Sequence, residues 1–505
     1  MQIPYGHCFL GCDYSVPPYE LPLIALADAQ NIVPDQMGLP VGRGGTVKLN
    51  STSLGTAVNS FHEYRSGSST SKICSYSTKI AVYNAATGDF VTKITGLTDG
   101  AFFQWVNFAG KAIGVNGEDT TQYWTSDALN GDLTGSPAGA ISVAEWSNRA
   151  WFGGYDDNVA VLVGSALNDP TDYTTTGATG YVSQTIGDSG DPITGLFGFF
   201  DILLVGKRNT LYKVAGDPAT EATSLTIQPV YTKEADSVGF TSKWAITQVG
   251  NDVIFLDGFD IKRLSGIQEF GDLETTSIIP HFRDYLKSIG DEDYLQYTQF
   301  FHYKKKQQIW VSMPTSSTTR FVFCMDYRFK PDTGKYAFYP MKSMEVNCFG
   351  GILNGEVTDM YFGDRTGFVW LADSGENDDS DSIERFFTFC FHGNDQYKKN
   401  IHNYRKEFRE SETFITPTET TLTMTPYYAT DLMDSEQIRT EGNYTALSAE
   451  VVSDWAGTGT KRKKVGFLGL AGNTLCLKWV HNKVAENFSF YPSNLYVTLK
   501  SRLSI

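Results

Sequence analysis

Several of the features on which chemistry or targeting depends are scarce or missing in this sequence. It has 7 histidines and no CxxC pair, and Cys390, His392 and His402 lack partners at the spacing of a zinc site. The carboxylates of Asp378–Asp381 lack the central glycine and the distal glutamate of a calcium loop. No glycine-rich phosphate loop occurs. No apolar run approaches the roughly 18 residues of a membrane span, and Met1–Pro18 has neither a basic start nor an apolar stretch, so no secretion signal and no transmembrane helix are expected. The 7 cysteines are odd in number and scattered, with only Cys8 and Cys12 close together, which predicts free thiols and assembly in a reducing cytoplasm. Basic charge is also in deficit: 41 Lys and Arg stand against 57 Asp and Glu, a formal charge of −16. Such a chain repels phosphate backbones and gains nothing from counterion release, so it should not grip nucleic acid, although a negative wall lets a polyanion slide past.

What is present points to strands. Aromatic residues make up 14% of the chain and 48 residues are glycine, while stretches with helical spacing are few, as many short strands with tight turns require. At 505 residues the chain exceeds what one core supports, so it should hold several domains or a closed repeat. A weak repeat is visible: an apolar strand, a turn with Gly, Asn or Asp, and a second strand. It occupies Ile113–Trp124, Ala150–Val163, Leu203–Gly216, Val253–Gly266, Ile309–Asp326 and Asp359–Asp373. The starts fall about 37 to 56 residues apart, the length of a four-stranded propeller blade with its connections. A further apolar strand precedes the hairpins, as at 102–108, 193–199, 244–249 and 299–303. Lys72–Gly96 is another hairpin, either a blade of its own or half of a closing one. The predicted fold is all-β, a β-propeller of six or seven blades over residues 61–375. An array of β-sandwich domains would also give short strands at intervals.

Two regions fall outside the repeat. Residues 1–60 carry Pro4, Pro17, Pro18, Pro22, Pro34 and Pro40 and read as an extended arm. Residues 376–505 begin with the acidic stretch Glu376–Asp381, read as a solvated linker, and continue as a C-terminal β-sheet or sandwich domain. Its strands are expected at 384–391, 420–428, 446–455, 464–470, 474–480 and 493–499. One short helix is expected at Pro280–Ile289. A closed propeller satisfies its own sheets, so both flanks are available for assembly, the arm as a clasp on a neighbour.

Few residues suggest chemistry. Gly187–Pro192 echoes a serine-protease nucleophile loop around Ser189, but Asp191 stands where a glycine is needed and its carboxylate would oppose an oxyanion. A turn is the expected reading. Gly363–Trp370 approaches the Asp-box hairpin of sialidase propellers with a spacing one residue too long, and is read as a blade hairpin; convergent arginines, which a sequence cannot reveal, would be needed for catalysis. Lys461, Arg462, Lys463 and Lys464 form a compact basic run, read either as a charged hairpin turn or as a docking patch for an acidic neighbour. No catalytic residue, metal site or cofactor is expected.

Several passages resemble, in order, those of hub or nozzle proteins from the tails of short-tailed bacteriophages. They are Asn31–Asp35 with Gly42–Gly45, then Ala112–Gly117, Asn148–Phe152, Pro192–Tyr212, Gly239–Gly258, Ile261–Gly266, Ile278–Tyr285 and the closing Gly466–Ile505. The acidic stretch, Asp291–Tyr297 and Thr413–Gly442 depart from the pattern. The resemblance implies a structural virion protein: a six-copy ring below the portal and adaptor, assembled in the host cytoplasm, with propellers around a DNA channel. It implies tail fibre, tailspike or needle proteins as further partners, genomic DNA passing without sequence-specific binding, and no cofactor. Arg43 and Lys461–Lys464 are the expected assembly contacts. The rival readings are a receptor- or glycan-binding tail propeller and a cytosolic interaction propeller.

Overall fold

A computed structural model of the chain describes residues 1–216, 225–230, 238–266, 273–329, 334–392, 404–417, 422–447, 460–467 and 469–502. Its strands form nine antiparallel sheets, seven of which have four strands each. Six of these seven are meanders of consecutive strands, spanning 58–95, 104–132, 142–185, 193–229, 246–277 and 299–341. The seventh takes three strands from 348–372 and its outer strand, Thr46–Lys48, from ahead of the first sheet. Trp370, Leu371 and Ala372 pair with Lys48, Val47 and Thr46. The six hairpins expected from the sequence form strands two and three of the second to seventh sheets, and Lys72–Gly96 falls in the first.

Local sequence explains the meanders. Tight turns join the first two strands where the chain accepts positive φ: Ala109 and Gly110 at 46° and 76°, Ser147 and Asn148 at 51° and 58°. Two consecutive positive φ values match the right-handed twist of the flanking strands. Second strands such as Gln308–Pro314 are buried along their whole length, as happens when a sheet is covered on both faces. The covering comes from neighbouring sheets. One apolar cluster joins Tyr64, Ile73 and Ile80 of the first sheet to Ala112 and Trp124 of the second. Others join the second to the third, the third to the fourth and the fourth to the fifth. A large cluster holds the fifth, sixth and seventh together, and Val58, Phe61 and Cys74 pack on Cys348, Tyr361 and Val369 to join the seventh to the first. Trp151, fully buried between the third and fourth sheets, donates its indole N–H to the Trp146 carbonyl at 2.9 Å. A ring of that size removes about 150–250 Å² from water, worth roughly 4–6 kcal/mol.

The other two sheets combine both ends of the chain. One has Gln2–Tyr5, Ile32–Pro34, Pro40–Gly42, Tyr404–Pro417, Lys461–Gly466, Ala471–Gly472 and Phe488–Arg502; the other has Asp28–Gln30, Arg385–Phe391, Thr425–Thr430, Thr445–Ala446 and Leu475–His481. Aromatic rings fill the space between them, with Tyr5 5.3 Å and 5.0 Å from Phe389 and Phe391, and Phe387 4.8 Å from Phe490. This two-sheet unit is pinned to the sixth four-stranded sheet: Cys12 N–H donates to the Phe338 carbonyl, Asn31 N–H to that of Pro340, and the Tyr339 hydroxyl to that of Cys8. Gly11, at φ 65°, lies so close that a Cβ there would stand 2.5 Å from the Phe338 backbone.

Several expectations are corrected. Residues 1–60 are not a free arm, because Ile3, Tyr5, Cys8, Cys12, Leu26 and Ile32 are buried within the chain and Thr46–Lys48 is a strand of the seventh sheet. The stretch 376–381 is not a solvated linker, since Asp378 takes a bidentate ion pair from Arg43 and the Asn377 carbonyl accepts from Thr46 N–H. Cys390 and Cys476 are not free thiols: strand pairing sets them opposite each other, Cα atoms 4.3 Å apart, in a disulfide. Cys8, Cys12, Cys74, Cys324 and Cys348 are free and buried. The helix begins at Arg283 and ends at Ile289. Of the strand expected at 446–455, all but the first two residues lie outside the described residues.

Candidate functional site

The basic residues expected at an assembly surface are largely engaged inside the chain. Arg43 is 2% exposed; besides Asp378 it donates to Asn31 Oδ1 at 2.9 Å and the Gly44 carbonyl at 3.0 Å. Lys461–Lys464 is not a turn but an edge strand alongside Tyr404–Pro417, where Arg462 pairs with Glu412 and Lys464 with Glu410 at 2.9 Å. Lys461 and Lys463 have no ion pair among the described residues. Ser189 sits in an exposed turn stapled by Gly190 N–H to Asp188 Oδ1 at 2.9 Å, and no histidine bonds it among the described residues. No group of three potential metal ligands occurs among the described residues, and no helix there is long and apolar enough to cross a membrane.

Two clefts among the described residues contain cations and have room for a ligand. The larger, of about 790 Å³, lies between the hairpin at 32–42 and Lys305, Lys306 and Arg328. Its cations have carboxylates at hand: Asp373 lies 2.6 Å from Lys306, Asp326 2.6 Å from Arg328, and Asp359 4.0 Å from Lys305.

The smaller cleft, of about 370 Å³, differs in that its cations are not ion-paired among the described residues, although Asp99 is among its lining residues. It opens where the sixth, seventh and first four-stranded sheets meet, and Arg320 and Arg365 both line it. Neither has a carboxylate of a described residue within 4.0 Å. Arg320 opens the third strand of the sixth sheet and is fixed from two sides, Nε to Asn347 Oδ1 at 3.1 Å and Nη1 to the Tyr297 carbonyl at 3.1 Å. Its guanidinium lies 5.6 Å from the centre of the Phe102 ring. Burial, reinforced by the like charge of Arg365, pushes its pKa down to about 10. Arg365 rides a turn that Asp364 staples. Asp364 Oδ1 accepts from Thr366 and Phe368 N–H, both at 2.8 Å, and Oδ2 from Thr366 Oγ1 and Trp370 Nε1. The carboxylate of the Asp-box-like hairpin is thereby occupied in shaping the turn.

Aromatic rings wall the cleft. Phe102 lies 5.0 Å from Tyr297 and 5.9 Å from Trp244, and Tyr294 6.5 Å from Tyr297. These rings cross between sheets that are not consecutive, because Phe102 precedes the second sheet, Trp244 the fifth and Tyr297 the sixth. Lys243 beside them donates to the Ile141 carbonyl at 2.5 Å, and burial lowers its pKa to about 7. Sequence reasoning singled out the hairpin that carries Arg365 but not Arg320, Phe102 or Tyr297, which lie far apart in the chain.

No protein-family model matches the chain, and no curated protein matches it. Among solved structures the chain is similar to the computationally designed Ika8 protein, with 12% identity and a TM-score of 0.37 over 66% of this chain and 99% of that one. A likeness of that degree says nothing about what the chain does.

Proposed function

We propose that the chain is a seven-bladed β-propeller and serves as the hub or nozzle subunit of a short bacteriophage tail. The propeller reading is supported by seven four-stranded sheets whose apolar clusters run in a closed circuit, with Thr46–Lys48 completing the last sheet as a strand borrowed from the other end of the chain. Closure of that kind leaves few unpaired edges.

The observation that carries the functional reading is the two-sheet unit. It is not needed to complete the seven sheets, yet it recruits both chain ends, packs aromatic rings between its two sheets and shares one apolar cluster with the fifth to seventh sheets. A second unit anchored in this way suits a permanent interface in a particle. Docking to neighbouring copies, the adaptor and the fibre, spike or needle proteins therefore falls to this unit and not to a loose arm. Six copies would multiply the charge of −16 sixfold, giving a wall past which DNA slides. A disulfide suits a particle that leaves the reducing cytoplasm, as such bonds persist in oxidising surroundings, virion surfaces included. A second reading, a receptor- or glycan-binding tail propeller, draws support from the arginine cleft, and one tail protein can do both.

The test is electron microscopy of the purified protein, alone and mixed with a portal–adaptor complex. The expected result is a ring of six copies seated on the adaptor. A protein that stays monomeric and leaves the complex bare refutes the hub reading.

A further inference from the structure

We propose that the cleft holding Arg320 and Arg365 binds a carboxylate-bearing sugar, a uronic or sialic acid unit at the end of a glycan. The charge comes first. In a chain of −16, two neighbouring guanidiniums with no carboxylate of a described residue within 4.0 Å form a local positive site, with Asp99 as the one acidic residue in the lining. Arg328, by contrast, has its carboxylate at 2.6 Å. The depressed pKa of Arg320 is consistent with this, since the attraction of a bound anion would offset the cost of its burial and the repulsion from Arg365.

Geometry then selects among anions. Arg320, which lines the cleft, is held at Nε and Nη1, and its Nη2 makes no hydrogen bond among the described residues, so a fixed fork keeps donor capacity in reserve. A planar carboxylate fits such a fork in bidentate fashion. A multiply charged phosphate is disfavoured by Asp99, exposed at the rim, whose carboxylate accepts from Ser77 Oγ at 3.0 Å. The walls add a second requirement. Phe102, Tyr294 and Tyr297 present electron-rich faces, which attract the partly positive C–H faces of a pyranose ring. The exposed Ser317 hydroxyl offers an uncharged partner for a sugar hydroxyl, while Ser316 Oγ is held by Thr318 and Thr319 N–H and Asn59 Oδ1 by Asn347. A volume of about 370 Å³ accommodates one or two sugar units. An acidic peptide is a poorer match, because peptides are generally taken up along a free sheet edge or a groove. Here the bordering strands Arg320–Asp326 and Val369–Ala372 are paired on both sides.

This site deepens the receptor-binding reading but needs only a single chain in solution, so its failure leaves the ring untouched and the ring's failure leaves it standing. The experiment is titration calorimetry of the full chain with digalacturonate and with N-acetylneuraminic acid, alongside neutral digalactose, inorganic phosphate and tetraglutamate. At least one acidic sugar should saturate the protein, more tightly than any of the other three probes. Arg365→Ala should weaken that binding about tenfold or more, and Arg365→Lys, which keeps the charge without the fork, should restore only part of it. Arg365 makes no hydrogen bond or ion pair among the described residues, so the variant should keep the thermal midpoint and circular dichroism of the parent. The proposal is overturned by an unchanged affinity in Arg365→Ala, by equal binding of digalactose, by tighter binding of phosphate or tetraglutamate, or by no saturation with either acidic sugar up to about 10 mM.

Discussion

Removing the Asp378 carboxylate should destabilise the protein by far more than a change in a solvated linker. Asp378 receives Arg43 Nη1 at 2.9 Å and Nη2 at 2.5 Å, and Thr46 Oγ1 at 3.1 Å. The Arg43 side chain is 2% exposed and that of Asp378 15%. Asp378→Ala leaves a buried guanidinium with bonds to Asn31 and Gly44 alone. Breaking a buried pair from one side costs about 3–5 kcal/mol, and some water access at Asp378 places this case near 3 kcal/mol. The double variant Arg43→Met with Asp378→Leu removes both charges and should recover more than half of that loss. Urea unfolding followed by tryptophan fluorescence gives the free energies, and hydrogen exchange at Val47 and Leu371 tests whether the borrowed strand loosens first. The reasoning fails if Asp378→Ala costs less than about 0.5 kcal/mol, the range of an exposed charge.

Two further outcomes are expected. Denatured without reductant, the protein should offer five thiols to a maleimide reagent and seven after reduction, read as mass shifts; seven before reduction would refute the Cys390–Cys476 bond. His481 is neutral in the fold: Nδ1 accepts from Lys483 N–H at 3.3 Å, Nε2 faces the Glu486 carbonyl at 3.1 Å, and burial, aided by Arg385 and Lys483, lowers its pKa from 6.5 to about 4. The unfolded chain binds the proton first, so the contribution of His481 is present above pH 6.5 and is lost as pH falls towards about 4. Wild type should therefore lose more thermal stability between those values than His481→Gln; parallel melting profiles would show that the ring does not titrate in this way.

The sequence disclosed its repeat because strands two and three of each sheet are apolar and turn-bounded, as in Val253–Gly266. It hid the path of the ends. The prolines of residues 1–45 are compatible with short strands at sheet edges as much as with a free arm, and only pairing across the whole chain length decides between them. Tyr404–Pro417 escaped notice because its charged residues mask the alternation; Phe408 and Ile415 are buried while Glu410 and Glu412 meet the basic strand. The disulfide was invisible because its cysteines are 86 residues apart. At the arginine cleft, Asp364-Arg365-Thr366-Gly367 was a legible turn, but the approach of Arg320 and Phe102 depends on how the sheets close, which no local pattern encodes.

The strand borrowed from residues 46–48, like the pairing of Gln2–Tyr5 with Ser493–Tyr496, has a consequence for synthesis. A ribosome making about 5–20 residues per second needs roughly 25–100 s for this chain. Thr46–Lys48 waits for Trp370–Ala372, and Gln2–Tyr5 waits longer, for Ser493–Tyr496. Sheets one to six can form as they appear, each resting on the one before, while Ile3 and Tyr5 stay uncovered and open to chaperones. A chain stopped short of Phe488 would keep them uncovered permanently. Ile3 and Tyr5 thus reach their paired, buried positions only once Ser493–Tyr496 is in place.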